Sequence, residues 1–255
     1  MASSFITFKK KILALQEYSL MLKDLFLSIK SINKCKRDAI NEMYLVGSQA
    51  FLLVLLGGAF VGIILALETG YQLDLFGAKT LVGRTVSLGM VRELGPTITG
   101  LLLAARTGAK NASELGAMQI SEQIDALRAF GTNPVLKLVM PRTIAAMVMF
   151  LPLTAIADMS GILSGMVVTK LSLHVDTSFF WNSAISALLI KDIFVGFTKP
   201  ILFAFFIATI SCFYGFNTRG GTSALGKNTI NAVVVSSLTV LVLDFILTKI
   251  VWELL

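Results

Sequence analysis

The stretch that decides the fold runs from residue 81 to residue 142 and opens with LVGRTVSLGMVRELGPTITGLLLAA, residues 81–105. This apolar run is long enough to cross a bilayer, because the hydrocarbon core requires about 20 mostly apolar helical residues. It nevertheless carries Arg92 and Glu93, and Gly95-Pro96 interrupts it. A charge inside a membrane helix costs about 2.5–3.5 kcal/mol, so such residues normally face a polar cavity or a charged partner. The stretch therefore predicts a membrane helix that carries charges into a protein interior.

The second half of this stretch contains a polar segment, QISEQIDALRAFG at residues 119–131. In a helix its apolar residues share one edge and its charged residues occupy another side; they are Ile120, Ile124 and Leu127, and Glu122, Asp125 and Arg128, respectively. The segment is too short and too polar to span a membrane. We expect a short cytoplasmic helix that docks its apolar edge into a groove on a partner, while the charges set the orientation. A surface loop is the alternative.

The whole chain, residues 1–255, has the composition of a polytopic membrane protein with a single domain. Hydrophobic residues make up 55% of the sequence, and the mean hydropathy is +0.81. The formal net charge is +7, and the positions of the basic residues explain it. Eight of the 22 Lys and Arg residues precede the first apolar run, and five lie between the second and the third. This positive-inside bias predicts a cytoplasmic N-terminus and gives no reason to expect nucleic acid as a partner.

Five apolar runs are predicted to span the membrane, which gives an all-α fold with an external C-terminus. Within a transmembrane region of residues 42–255, these runs are residues 44–68, 81–105, 143–168, 193–216 and 230–252. Residues 1–41 predict an amphipathic helix on the cytoplasmic membrane surface, or a helix packed on the protein's own spans. In the first span, Gly58 and Gly62 form a small-xxx-small pattern, which favours close helix packing within one subunit or in a dimer.

Charges recur beside prolines in two of the spans. Pro96 lacks an N–H group and crowds the carbonyl group of Arg92. In the fourth span Lys199 directly precedes Pro200, and Asp192 lies seven residues earlier on the same helical face. We therefore predict a cavity for a ligand with polar and apolar parts; its charged residues are Arg92, Glu93, Asp192 and Lys199. Ion pairs that only lock the helix bundle are the alternative.

The sequence predicts no catalytic, metal or cofactor site within the chain. Two cysteines, Cys35 and Cys212, and a single histidine are too few for a metal cluster. Residues 221–228, GTSALGKN, nearly spell a phosphate-binding loop, but Asn228 stands where a Ser or Thr hydroxyl would bind magnesium. We interpret them as a cytoplasmic turn. Asp244, near the external end of the fifth span, is interpreted as structural.

A set of short motifs extends over nearly the whole chain from the first span onward. The motifs are VRELGP at 91–96, Gly108 with SELG at 113–116, EQIDAL at 122–127, Asn133-Pro134, Pro141-Arg142, and the spacing from Asp192 to Lys199. In this combination the sequence resembles the MlaE family of ABC transporter permeases.

This resemblance implies a phospholipid-transport permease of the cell inner membrane that works as a homodimer. A separate ABC ATPase would bind ATP and Mg and would contact this chain through a coupling helix near residues 119–131. The resemblance also implies an MCE-domain protein on the outer side and, in Gram-negative systems, a STAS-domain protein beside the ATPase. Arg92, Glu93, Asp192 and Lys199 would lie in or beside the lipid cavity. Glu122, Asp125 and Arg128 would belong to the ATPase-facing helix.

Two other functions are compatible with the same residues. A secondary transporter could move protons through the intramembrane carboxylates. An intramembrane enzyme could act on lipid head groups with Glu93, Asp158 or Asp192 as acid or base, although no paired nucleophile accompanies them. Dependence of transport on an ATPase, as opposed to a proton gradient, separates the permease from the secondary transporter.

Overall fold

A computed structural model describes residues 2–28 and 35–254 of the chain. Every regular element in this part of the chain is a helix, as the sequence predicts. The α-helices are α1 Ala2–Ser28, α2 Lys36–Leu75, α3 Val82–Gly89, α4 Gly95–Leu103, α5 Ala109–Ile120, α6 Gln123–Ala129, α7 Met140–Leu173, α8 Thr177–Ala187, α9 Ile190–Phe216 and α10 Gly221–Leu254. Of the described helices, α2, α7, α9 and α10 are long and apolar enough to cross a membrane. The prediction of an all-α polytopic membrane protein is confirmed.

The predicted second span forms a continuous rod, residues 82–120, which we name the interrupted helix. Two π-helical segments, Met90–Leu94 and Ala104–Gly108, join α3, α4 and α5 within it. In the first segment the Gly95 N–H bonds the Met90 carbonyl oxygen five residues earlier. Residue 96 is the proline, which has no N–H to continue this pattern to the Val91 carbonyl group. That carbonyl oxygen instead lies against Gly196 of α9, where an added Cβ would overlap it.

The small-xxx-small pattern of the first span packs inside the subunit, against α7. A Cβ built on Gly62 would overlap the backbone of Gly161, and one built on Gly58 would overlap the backbone of Ala157. The Ser164 hydroxyl donates a hydrogen bond of 2.8 Å to the Ala59 carbonyl oxygen across the same contact. Small residues therefore allow the backbones of α2 and α7 to touch, as in other tightly packed membrane helices.

We expect Gly62→Ala to destabilise the protein by about 1–3 kcal/mol, because the new methyl group must push α7 away. The matched control is Gly226→Ala in α10, where an added Cβ meets no atom within 4 Å. Alanine favours a helix by up to about 1 kcal/mol over glycine, so the control should be neutral or stabilising. Thermal unfolding in detergent measures both, and equal melting temperatures would contradict the packing role of Gly62.

The N-terminal helix α1 packs on the spans along one side only. Met21 and Leu25 are buried in a cluster with Cys212, and the Tyr18 hydroxyl lies 2.9 Å from the Thr209 hydroxyl of α9. Other apolar residues of α1 remain exposed; they include Ile12, Leu15 and Phe26. Helix α2 begins at Lys36, inside the predicted interfacial segment 1–41, of which residues 1 and 29–34 lie outside the described part. Helix α1 thus combines a face packed on the protein with an apolar face open to its surroundings.

The segment that resembles a phosphate-binding loop is helical. The interpretation of residues 221–228 as a turn is wrong, because they form the first turns of α10, which starts well before the predicted fifth span. The Asn228 side-chain amide donates a hydrogen bond of 3.1 Å to the Thr218 hydroxyl. Asn228 thereby ties the start of α10 to the turn that precedes it.

Candidate functional site

The centre of the site is the buried ammonium group of Lys199, whose residue is only 1% exposed. Its Nζ atom lies 2.5 Å from Glu93 Oε2, 2.8 Å from Asp244 Oδ1 and 2.9 Å from Thr248 Oγ1. These contacts use all three donors of the ammonium group. Lys199 on α9 therefore joins the interrupted helix to α10 inside the membrane region.

Two threonine hydroxyls close this group of side chains. Thr248 Oγ1 lies 3.0 Å from Glu93 Oε2, so Thr248 accepts from the lysine and donates to the glutamate. Thr97 Oγ1 lies 2.9 Å from Asp244 Oδ2. We name Glu93, Thr97, Lys199, Asp244 and Thr248 the lysine network. Two carboxylates face one ammonium group, so the network carries a formal charge of about −1 when every group is ionised.

A second ion pair links the interrupted helix to the start of α9. Arg92 Nε lies 3.5 Å from Asp192 Oδ1, and the Asp192 side chain is buried. The other carboxylate oxygen, Oδ2, accepts a hydrogen bond of 3.0 Å from the backbone N–H of Leu189. Asp192, the third residue of α9, therefore accepts from the backbone of the N-cap residue, as the acidic residue of a capping box does, and pairs with a cation at the same time.

We expect Asp192→Ala to lower the free energy of unfolding by about 0.5–2 kcal/mol, because the Leu189 N–H loses its acceptor. Asp192→Asn keeps an acceptor oxygen but removes the charge, so it separates the cap from the ion pair. Thermal unfolding of both variants makes the comparison. An alanine variant as stable as wild type would show that the cap contributes nothing.

The two pairs lie at different levels of α9. Asp192 and Lys199 are seven residues apart, which corresponds to about 10.5 Å along a helix. Arg92 and Glu93 are adjacent, and both belong to the π-helical segment Met90–Leu94. Neighbouring residues of a helix point in different directions, so from this one segment Arg92 reaches Asp192 and Glu93 reaches Lys199.

Cavities with mixed polar and apolar walls adjoin these pairs. One of about 520 Å³ is lined by Leu73, Leu81, Arg84, Thr85, Leu88, Gly89, Arg92, Glu93 and Thr248. A smaller one of about 220 Å³ lies beside Arg84, Arg92, Lys191 and Asp192. Of the four predicted cavity residues, Arg92, Glu93 and Asp192 line a cavity, whereas Lys199 lies behind Glu93. A ligand in the larger cavity would touch the network through Glu93 and Thr248.

The sequence interpretation missed part of the lysine network. Asp244 was expected to be structural, and Thr97 and Thr248 were not singled out. Asp244 and Thr248 are four residues apart on α10, so they share one helical face with a polar character that is unusual in a span. That spacing was the available signal.

The predicted coupling helix is present as α6, joined to α5 by a tight turn. Glu122 adopts a left-handed conformation, with φ of 59°, and directs the chain into α6. Asp125 and Arg128 are exposed and form a salt bridge of 2.9 Å. The expected apolar docking edge is wrong at Ile124, which is fully buried against the protein itself. Ile120, at the end of α5, is 37% exposed, and Phe130, which directly follows α6, is 85% exposed.

A broad groove of about 680 Å³ lies between α1, α6 and the turn before α10. Its charged lining residues are Glu17, Asp24, Glu122, Asp125, Arg128 and Arg219. Each of the predicted coupling residues therefore lies at the rim of an open, largely polar depression. Such a surface is suited to a protein partner with charges of both signs.

A separate cluster of ion pairs ties this end of the molecule together. Arg142 of α7 lies 3.0 Å from Glu114 of α5 and 3.4 Å from Glu42 of α2. Lys110 of α5 lies 3.0 Å from the same Glu42. The cluster fixes α5 against α2 and α7 just before the turn into α6.

Comparisons with known proteins agree over almost the whole chain. The family profile described as Permease MlaE matches residues 39–250. Over 214 residues, the chain is 34% identical to the intermembrane phospholipid transport system permease protein MlaE of Haemophilus influenzae, covering 84% of this chain and 82% of that protein. It is 32% identical over 218 residues to a probable ABC transporter permease protein of Synechocystis sp., covering 86% and 83% of the two chains. The family match includes the lysine network and α6.

Proposed function

The chain belongs to the MlaE permease family, and from this premise we propose that it is the membrane subunit of an ABC transporter that moves phospholipid. A separate ATPase subunit binds ATP and Mg and drives the movement. The name of the Haemophilus influenzae relative supports phospholipid as the substrate class, and the names of other relatives support the transporter class.

One observation carries the mechanism: the helix that contributes Glu93 to the lysine network continues, within residues 82–120, to the turn before α6. Only Ser121 and Glu122 separate α5 from α6. A force on α6 therefore acts on the same rod that holds Glu93 beside Lys199. Nucleotide-driven closure of the partner moves α6, and the rod changes the distance between Glu93 and α9.

The cavity beside the network fits an amphiphile. Arg84 and Arg92 can pair with a phosphate group, whereas Leu73, Leu81 and Leu88 can contact acyl chains. Movement of Glu93 would change this wall, because Glu93 and Thr248 form its polar edge. The chain itself binds and releases the lipid and changes conformation, whereas ATP hydrolysis belongs to the partner.

The remaining partners and the orientation follow from the same proposal. The chain lies in the cell inner membrane with its N-terminus and α6 in the cytoplasm and its C-terminus outside. It forms a homodimer, meets an MCE-domain protein on the outer side, and shares its ATPase with a STAS-domain protein in systems that contain one. The exposed apolar face of α10 is available for the second copy or for lipid; it includes Val234, Leu238, Leu241 and Phe245.

Reconstitution into vesicles tests this function. The permease with its co-purified ATPase should move a fluorescent phospholipid with ATP and should not respond to an imposed proton gradient. Glu122→Ala combined with Asp125→Ala should abolish transport and leave the permease folded, because both carboxylates are exposed. Transport driven by protons without ATP would favour a secondary transporter. Covalent change of the lipid by the isolated chain would favour an enzyme.

A further inference from the structure

The buried carboxyl group of Asp158, on α7, takes no part in the lysine network or in the cavity beside it. Asp158 lies near the middle of α7 and is only 9% exposed. Its Oδ1 atom is buried and has no hydrogen-bond partner. Within the described residues, no Lys or Arg nitrogen lies within 4.0 Å of the carboxyl group. An ionised carboxylate in this position would lack both water and a cation, which is strongly unfavourable inside a membrane.

The neighbours of Asp158 are small or apolar on each packed element. From α2, Gly58 and Gly62 contact the adjacent turns of α7. From the interrupted helix, Met90 lies against Gly161, and a Cβ on Gly95 would overlap Asp158 Oδ1. The ionisable groups nearest in sequence to this contact, Arg92 and Glu93, are engaged with α9 and α10. They therefore do not neutralise Asp158.

Asp158 Oδ1 lies against the backbone of the interrupted helix at Gly95, where the Met90 carbonyl group is also close. The Met90 carbonyl oxygen lies 3.0 Å from the position of an added Gly95 Cβ, and Asp158 Oδ1 lies closer still to that position. An ionised carboxylate can only accept hydrogen bonds, and among the described residues no donor reaches Asp158 Oδ1. A protonated carboxyl group is a donor and can share its proton with a backbone carbonyl group.

The contact lies on the side of the rod that faces away from the lysine network. Residues two apart on a helix point in nearly opposite directions, so the side chain of Glu93 points away from the contact at Gly95. Asp158 thus supports the end of the π-helical segment Met90–Leu94 from behind. A shift of this segment toward α7 would withdraw Glu93 from Lys199.

We propose that Asp158 is a positioning residue that keeps its proton in the folded protein and, through Gly95, holds the segment Met90–Leu94 so that Glu93 reaches Lys199. This inference rests on the proposed function, because the lysine network is taken as part of the transport site. Asp158 binds no lipid itself. Its effect passes through the backbone of the interrupted helix.

Infrared spectroscopy and transport together test the proposal. At neutral pH, the difference spectrum between wild type and Asp158→Asn should show the loss of one carbonyl absorption of a protonated carboxylic acid. Asp158→Asn keeps a hydrogen-bond donor and should transport within roughly twofold of wild type, whereas Asp158→Ala should lose at least about tenfold. Absence of the absorption, or an asparagine variant as defective as the alanine variant, would overturn the proposal.

A double-mutant cycle gives a readout that does not depend on lipid transport. If Asp158 acts through Glu93, the stability changes of Asp158→Ala and Glu93→Gln should not add. Additive changes would leave Asp158 as a local packing residue and would overturn the positioning role. If wild type moves no phospholipid while the infrared band and the coupling are present, the proposed function fails and the role of Asp158 stands.

Discussion

Replacing Lys199 with methionine should destabilise the permease by about 3 kcal/mol and reduce phospholipid transport at least about tenfold. The buried ammonium group holds Glu93 and Asp244 at 2.5 Å and 2.8 Å, so its removal leaves two carboxylates facing each other without a cation. Breaking a buried ion pair from one side typically costs about 3–5 kcal/mol. We expect the lower end of this range, because Glu93 borders a cavity and can be hydrated.

A neutral version of the network separates stability from function. Lys199→Met combined with Glu93→Gln and Asp244→Asn removes all three formal charges together. Neutral replacement of a buried ion pair is often tolerated, so most of the lost stability should return. Transport should not return if the charges act on the lipid or on the conformational change. Wild-type transport by the triple variant would mean that the network only holds the helices together.

Replacing Phe130 with alanine should weaken binding of the ATPase subunit by roughly ten- to hundredfold. The ring is 85% exposed in the isolated chain, and burial of a phenylalanine at an interface contributes about 1.5–3 kcal/mol. Titration of the ATPase against the permease in detergent measures the dissociation constant. The permease should unfold at the same temperature as wild type, since the ring supports no internal packing.

The matched control is Phe76→Ala. Phe76 directly follows the last turn of α2 and is 83% exposed. In the proposed orientation it lies on the outer side of the membrane, opposite α6. It should leave ATPase binding unchanged. Equal weakening by both substitutions would indicate a general effect of surface hydrophobicity, and no weakening by Phe130→Ala would place the ATPase contact elsewhere.

The all-α membrane class could be predicted from the sequence because it depends on the length of apolar runs. The predicted number of five spans is not matched by the described helices, of which four are long and apolar enough to cross a membrane, because α3, α4 and α5 are each too short. The exact helix ends could not be predicted, because water-exposed turns continue a span without any apolar signal. Helix α2 starts at Lys36 and α10 at Gly221, each well outside the apolar run that revealed it. The break at Gly95-Pro96 was visible in the sequence, but neither its form as a π-helical turn nor the place of the Val91 carbonyl oxygen against Gly196 could be read from it.

The candidate site was predicted in part for a similar reason. Arg92, Glu93, Asp192 and Lys199 stood out because charges are costly in a membrane helix. Asp244 was interpreted as a structural residue, because its partner Lys199 lies 45 positions away in the sequence and only the tertiary fold brings the two together. At α6 the predicted apolar edge assumed one unbroken helix, but the turn at Ser121 and Glu122 places Ile120 in α5, and periodicity cannot say that Ile124 faces the protein itself.

The glycine contact between α2 and α7 determines which parts of the molecule can move. Backbones that touch without intervening side chains cannot slide past one another without steric collision, so α2 and α7 behave as one rigid unit. The interrupted helix meets α9 and α10 through apolar packing, with Leu103, Phe203 and Val240 in one buried cluster, and also through the ionic and hydroxyl contacts of Glu93, which can be exchanged for others. Under the proposed function, we expect work delivered at α6 to move the interrupted helix at Glu93, while α2 and α7 keep their positions relative to each other.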